Sequence, residues 1–98
     1  MARSTVNDDP LIRQLRQQIS DTDRAIVDSL NARLRLVARL KSYKESRGIG
    51  FLDPEREEWM LQYLTRANRG PLSPDGLKEL FEEILDLTKR EVRRGEET

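Results

Sequence analysis

A chain of 98 residues holds one domain and is too short for a second core-forming one. Hydrophobic residues make up 36% and charged residues 37%, a balance that excludes a thick globular core and suits helices sharing a core with a partner. Lysine plus arginine equals aspartate plus glutamate at 18 each, so no global basic field exists to hold a nucleic acid or an anionic membrane.

Residues 1–9 are short and polar, read as a flexible tail without an apolar leader core, and no run of about 18 apolar residues follows anywhere. The expectation is a soluble, cytoplasmic protein with no membrane partner. Asp9-Pro10 is a helix start, because an aspartate oxygen caps free amides and proline is tolerated at the first helical position. From there Ile12, Leu15, Ile19, Ile26, Leu30, Val37 and Leu40 recur at helical spacing, with no glycine or proline before Gly48. Arg47-Gly48-Ile49-Gly50 ends this first helix. Asp53-Pro54 opens a second and shorter one, carrying Trp59, Met60, Tyr63, Leu64 and Ala67. Asn68-Arg69-Gly70-Pro71 breaks it, and Ser73-Pro74 opens a third, with Leu77, Leu80, Phe81, Ile84 and Leu85, that runs to about Val92. The domain is therefore expected over 10–92, with 93–98 as a second flexible tail and no strand-like alternation, so the fold class is all-α.

A first helix of about 37 residues is roughly 55 Å long at 1.5 Å per residue. A compact domain of this size has a radius of gyration near only about 13 Å. The helix overshoots any monomeric globule, and the simplest cover for its apolar stripe is a second copy related by a two-fold axis, giving an intertwined antiparallel homodimer.

Charge interrupts these stripes. Stepping by three and four from Ile26 gives Leu30, Arg33, Val37, Leu40 and Lys44, so Arg33 and Lys44 share a face meant for burial. Arg56 lies one turn before Trp59 and Met60, and Thr88 continues the line of Leu77, Phe81 and Ile84. A buried cation needs an internal carboxylate or an anionic ligand. For any one of the three, an outward-reaching side chain or a glutamate partner is the simpler account; for all three together, a pocket for a small, multiply charged anion is the better one. Asp53, Glu55 and Glu57 fit a ligand-binding role and, equally, the cap and dipole roles of a helix N-terminus. No histidine and no cysteine occur, so the commonest proton shuttle, thiol nucleophiles and zinc–thiolate sites are excluded, and no metal or cofactor is expected.

Leu15-Arg16-Gln17-Gln18-Ile19 with Asp23, Asn31-Ala32-Arg33-Leu34, Lys41-Ser42-Tyr43-Lys44 and, above all, Asp53-Pro54-Glu55-Arg56-Glu57 stand in an order and spacing that resembles the all-helical class of chorismate mutases, over about residues 11–92. The resemblance implies three helices per chain, long first helices paired antiparallel, and active sites shared between subunits. It implies that Arg16 reaches into the partner's site while Arg33, Lys44, Asp53, Arg56, Glu57 and Thr88 line that of their own subunit. Arg16 and Lys44, 28 residues apart, are about 42 Å apart on one helix, so they meet one small ligand only across two chains.

The reaction so implied is the pericyclic rearrangement of chorismate to prephenate in aromatic amino acid biosynthesis. Arginines clamp the two carboxylates of the substrate, Lys44 donates to the ether oxygen, Asp53 or Glu57 holds the ring hydroxyl, and Thr88 adds a hydrogen bond to a carboxylate. Lys44, Arg33 and Glu57 are the residues expected to carry catalysis.

One position departs from the family. Where a glutamine or glutamate often gives a second contact to the ether oxygen, this chain has Val92, unless a one-residue shift of register brings in Lys89 or Arg93. Turnover is expected to be low unless a partner protein, such as another enzyme of the shikimate pathway, reorganises the C-terminal end. The rival readings are an isochorismate-pyruvate lyase or aminodeoxychorismate mutase on the same scaffold, and a non-catalytic helical module that regulates a shikimate-pathway enzyme.

Overall fold

The computed structural model describes residues 9–96; the remainder of both expected tails, residues 1–8 and 97–98, lies outside the described residues. Three helices follow in order, α1 (Pro10–Ser46), α2 (Pro54–Ala67) and α3 (Pro74–Glu96), and no strand occurs among the described residues. No helix among them is long and apolar enough to cross a membrane. The third helix corrects the sequence reading at its end: it continues past Val92 to Glu96, so Arg93–Glu96 is helical and not a tail. Gly95 does not stop it, and Arg93 and Arg94 place positive charge in the last turn, where the helix dipole favours it.

Packing divides the chain into two units at Arg33 and Leu34, inside α1. In the unit that ends at Arg33, Asp9 caps α1: its Oδ1 accepts from the amides of Leu11 at 2.8 Å and Ile12 at 3.3 Å. No residue of α1 is buried. Leu15 is 48% exposed, Ile19 59% and Ile26 52%, while Ile12, Leu30 and Arg33 are half-buried.

The unit from Leu34 onward contains the end of α1 with α2 and α3. Its part of α1 turns Leu34, Val37, Lys41 and Lys44 inward, so Val37 and Lys44 lie on the expected face, while Leu40 is exposed and Lys41 half-buried in its stead. On α3, Leu77, Thr88 and Val92 are buried and Phe81, Ile84 and Leu85 half-buried, which is the expected stripe except for exposed Leu80. On α2 the inward face is Glu57, Met60, Leu61 and Leu64. Trp59 and Tyr63, expected in the core, are exposed and stacked on each other with ring centroids 5.3 Å apart. Arg56 shares their outer side, one helical position away from the buried flank where the sequence spacing had put it.

The end of α1 is closed by glycine. The amide of Gly48 donates to the Glu45 carbonyl at 3.1 Å and that of Ile49 to the Lys44 carbonyl at 2.8 Å, with Gly48 at φ 69°. This is the Schellman pattern, which needs a left-handed residue after the helix. A side chain at Gly48 would meet no atom within 4 Å, so the cost of adding one is conformational. Gly48→Ala is expected to destabilise the protein by about 1–2 kcal/mol, while Gly50→Ala, which needs no positive φ, stays within about 0.5 kcal/mol of wild type. Urea denaturation followed by circular dichroism checks both.

Candidate active site

Candidate residues in the unit from Leu34 come from the last turn of α1, the connection to α2, the start of α2 and the C-terminal half of α3. Lys44 is half-buried in the last turn of α1, where positive charge complements the helix dipole. Its Nζ donates to the carbonyl of Phe51 at 3.4 Å. The side chain is thereby turned toward the connection that ends, two residues later, at Asp53.

Asp53 is the N-cap of α2: its Oδ1 accepts from the Arg56 amide at 3.1 Å, and its carbonyl from the Glu57 amide at 3.1 Å. Of the two roles open to Asp53, the capping one is present in the structure. The Arg56 guanidinium lies 4.1 Å from the centre of the Trp59 ring, a cation–π contact worth about 0.5–1 kcal/mol at an exposed site. Glu57 faces inward, and its Oε1 is 2.9 Å from Nζ of Lys89 on α3, with both side chains about one-third exposed.

Thr88 is 5% exposed, and its hydroxyl donates to the Ile84 carbonyl one turn back at 2.6 Å. This hydrogen bond lies within α3, and the resemblance implies a further one to a ligand carboxylate. Val92, 7% exposed, forms one wall of a cavity of about 510 Å³ with Leu34, Ala38 and Ser42 of α1 and Glu91 and Gly95 of α3. In the other unit, Arg16 is exposed and Arg33 half-buried.

The structure brings Asp53, Arg56 and Glu57 into one helical turn, ties Lys44 to the loop that precedes them, and sets Thr88 and Val92 on the buried line of α3. Two further cations lie among them: Lys41, given no site role from the sequence, and Lys89, named there as a register-shift alternative to Val92. Lys41 donates to Glu45 at 2.6 Å and to Glu96 at the end of α3, with its Nζ 5.7 Å from the centre of the Phe51 ring. The hydrogen bond to Glu45 first, then that to Glu96, hold its ammonium above the ordinary lysine range. Lys89 lines two hollows: one of about 410 Å³ with Glu57, Leu61 and Asp86, and one of about 390 Å³ with Lys41, Phe51 and Arg93. The spacing Leu34, Val37, Lys41, Lys44 could have flagged Lys41; Lys89 lies off the stripe of α3, and only the packing of α2 against α3 reveals its contact with Glu57. Among the described residues no group of three or more carboxylates is placed to hold a metal ion.

Three helices with no strand among the described residues, cations near the end of the first and a carboxylate-rich start to the second, define a small all-helical domain. Residues 15–93 match the family model of chorismate mutase type II, and the chain belongs to that family. It is 35% identical over 79 residues to a bifunctional chorismate mutase/prephenate dehydratase of Stutzerimonas stutzeri, covering 76% of this chain and 22% of that protein. It is 32% identical over 83 residues to one of Pseudomonas aeruginosa, covering 80% of this chain and 23% of the other. The chain thus spans less than a quarter of the length of these relatives. Solved structures of chorismate mutase from Thermus thermophilus superpose with TM-scores of 0.76 for form I and 0.80 for form II, at 36% and 35% identity. They cover 79% and 85% of this chain, and the matched parts are 96% and 94% of theirs. The all-α, three-helix fold is the chorismate mutase fold.

Because its folded pKa is raised, Lys41 contributes to stability at neutral pH, and that contribution is lost as pH rises through the raised value. Its link to Glu96 holds the last turn of α3 to α1. Lys41→Met is expected to speed amide hydrogen exchange at residues 93–96 by roughly twofold to fivefold at neutral pH, the size of one exposed ion pair, and to leave residues 77–88 unchanged.

Proposed function

We propose that this chain catalyses the conversion of chorismate to prephenate as a homodimer, by holding a flexible dianion in its reactive conformation with fixed charge. The observation that carries the reading is the match of 36% identity to a chorismate mutase structure of which 96% is covered. The chemistry fits the chain's residues. A pericyclic rearrangement breaks an ether C–O bond while a C–C bond forms, and it needs neither a proton shuttle nor a nucleophile, which suits a sequence without histidine or cysteine. Arg33, Arg56 and the partner subunit's Arg16 clamp the two carboxylates, Lys44 stabilises the charge developing on the ether oxygen, and Glu57 or Asp53 accepts from the ring hydroxyl. Glu57 is favoured over Asp53 for that contact, because Glu57 faces inward whereas Asp53 is exposed and serves as the cap of α2.

The dimer is supported by exposure. Leu15, Ile19 and Ile26 are each about half exposed along one run of α1, a face that a second copy would cover. Three activity tests follow. Arg33→Ala and Lys44→Ala are each expected to lower kcat/KM for chorismate by at least about 100-fold, as loss of a fixed charge at a reacting oxygen does, and prephenate rather than salicylate is the product expected of wild type. Arg16→Ala and Lys44→Ala chains, each inactive alone, are expected to recover about a quarter of wild-type activity when unfolded together and refolded one to one: half the dimers are mixed, and one of their two sites is intact. No recovery, or a monomer by light scattering, would remove the shared site. Val92→Gln is expected to raise kcat by about tenfold if a second donor to the ether oxygen is what the chain lacks; the assay is the loss of chorismate absorbance.

A further inference from the structure

A carboxylate that accepts a hydrogen bond from the hydroxyl of a dianion faces an electrostatic conflict. It makes a good acceptor, yet its charge repels the two carboxylates of the same ligand. Glu57 is in this position in the proposed site. It is also the head of the inward face of α2, about one-third exposed, where water screens its charge less than at an open surface. Glu55, Glu58, Glu82 and Asp86 lie on the same or the facing helix and add to the negative field.

We propose that Lys89 is the positioning residue for Glu57, fixing the rotamer of its carboxylate and neutralising its charge toward the anionic substrate. The Lys89 ammonium meets Oε1 of Glu57 at 2.9 Å, and a carboxylate bonded through one oxygen keeps acceptor capacity on the other. Lys89 follows Thr88, whose side chain is buried, so the root of Lys89 is held by the packed line of α3 and only its flexible stem spans to α2. The pair joins the start of α2 to the C-terminal half of α3 at the height of the candidate site. A neutral side chain at position 89 would leave Glu57 negative and free to rotate, and both effects weaken binding of a dianion. The inference rests on the chorismate mutase reading.

The test compares wild type, Lys89→Met, Lys89→Arg, Glu57→Gln and the double variant in steady-state chorismate turnover at low and high salt. Lys89→Met is expected to raise KM roughly threefold to fivefold at low salt, the range of a partly exposed ion pair, with kcat within twofold. High salt narrows the difference, because it screens the uncompensated carboxylate. Lys89→Arg restores KM. In the Glu57→Gln background, Lys89→Met has no further effect on KM, since no charge is left to position. A purely structural Lys89 would instead lower the thermal midpoint and the active fraction, leaving KM and its salt dependence alone. That result, or an equal rise of KM in both backgrounds, overturns the assignment. Wild type that turns over chorismate with a KM insensitive to position 89 sinks Lys89 and leaves the function standing; wild type without turnover sinks both.

Discussion

Both ends of Lys44 bond to the turn that follows it, and this turn sets where α2 begins. Its carbonyl accepts from the amides of Arg47 and Ile49, which stops α1, and its ammonium reaches the Phe51 carbonyl, which orients the loop before Asp53. A helix needs a left-handed residue to close in this way, and Gly48 supplies it without steric cost. Asp53 then caps α2 within a few residues. A cation at a helix C-terminus and an acid-capped helix N-terminus are thereby brought together by seven residues of connection, 47–53, too few to leave much freedom between them.

Charge in this domain is handled locally, since the overall balance is zero. Lys41 is shared by Glu45 and Glu96, Glu57 is met by Lys89, and Arg56 lies on the face of Trp59. Cations and carboxylates near the candidate site are thus held by named neighbours, which limits the rotamers that a ligand would have to order on binding. In the proposed reaction this matters more than affinity as such, because an enzyme that supplies only geometry and fixed charge loses rate with every degree of freedom left in either.

Few residues are buried: Leu77, Thr88 and Val92 are the described residues that fall below about one-tenth exposure, all on α3. Large apolar side chains on α1 and the stacked Trp59–Tyr63 pair face outward. Apolar area on this scale is worth burying at about 25 cal/mol per Å², and a second chain is the cover proposed for the face on α1. The proposed second copy would also account for regular apolar stripes in a sequence with about as many charged as hydrophobic residues.

Sequence alone determined the helices and the chemistry of their ends. Aspartate-proline starts, the Gly48 stop and 3.6-residue periodicity are local rules, and they located α1, α2 and the start of α3 to the residue or nearly so. Motif order pointed to the family, which the match over residues 15–93 shows. What only tertiary structure decided is which flank of each helix faces in. Periodicity fixes a face to within about one residue, or 100° of arc: α2 settled one position away from the expected line, so Glu57 turned inward and Arg56 outward, while α1 kept Val37 and Lys44 on the expected face and only Lys41 took the place expected for Leu40. The partners of charged groups followed from that rotation: Lys89 and Glu57 are 32 residues apart in sequence, and no local rule links them until α2 packs on α3. The end of α3 was also decided by packing, as the Lys41–Glu96 contact holds a last turn whose glycine would otherwise argue against it.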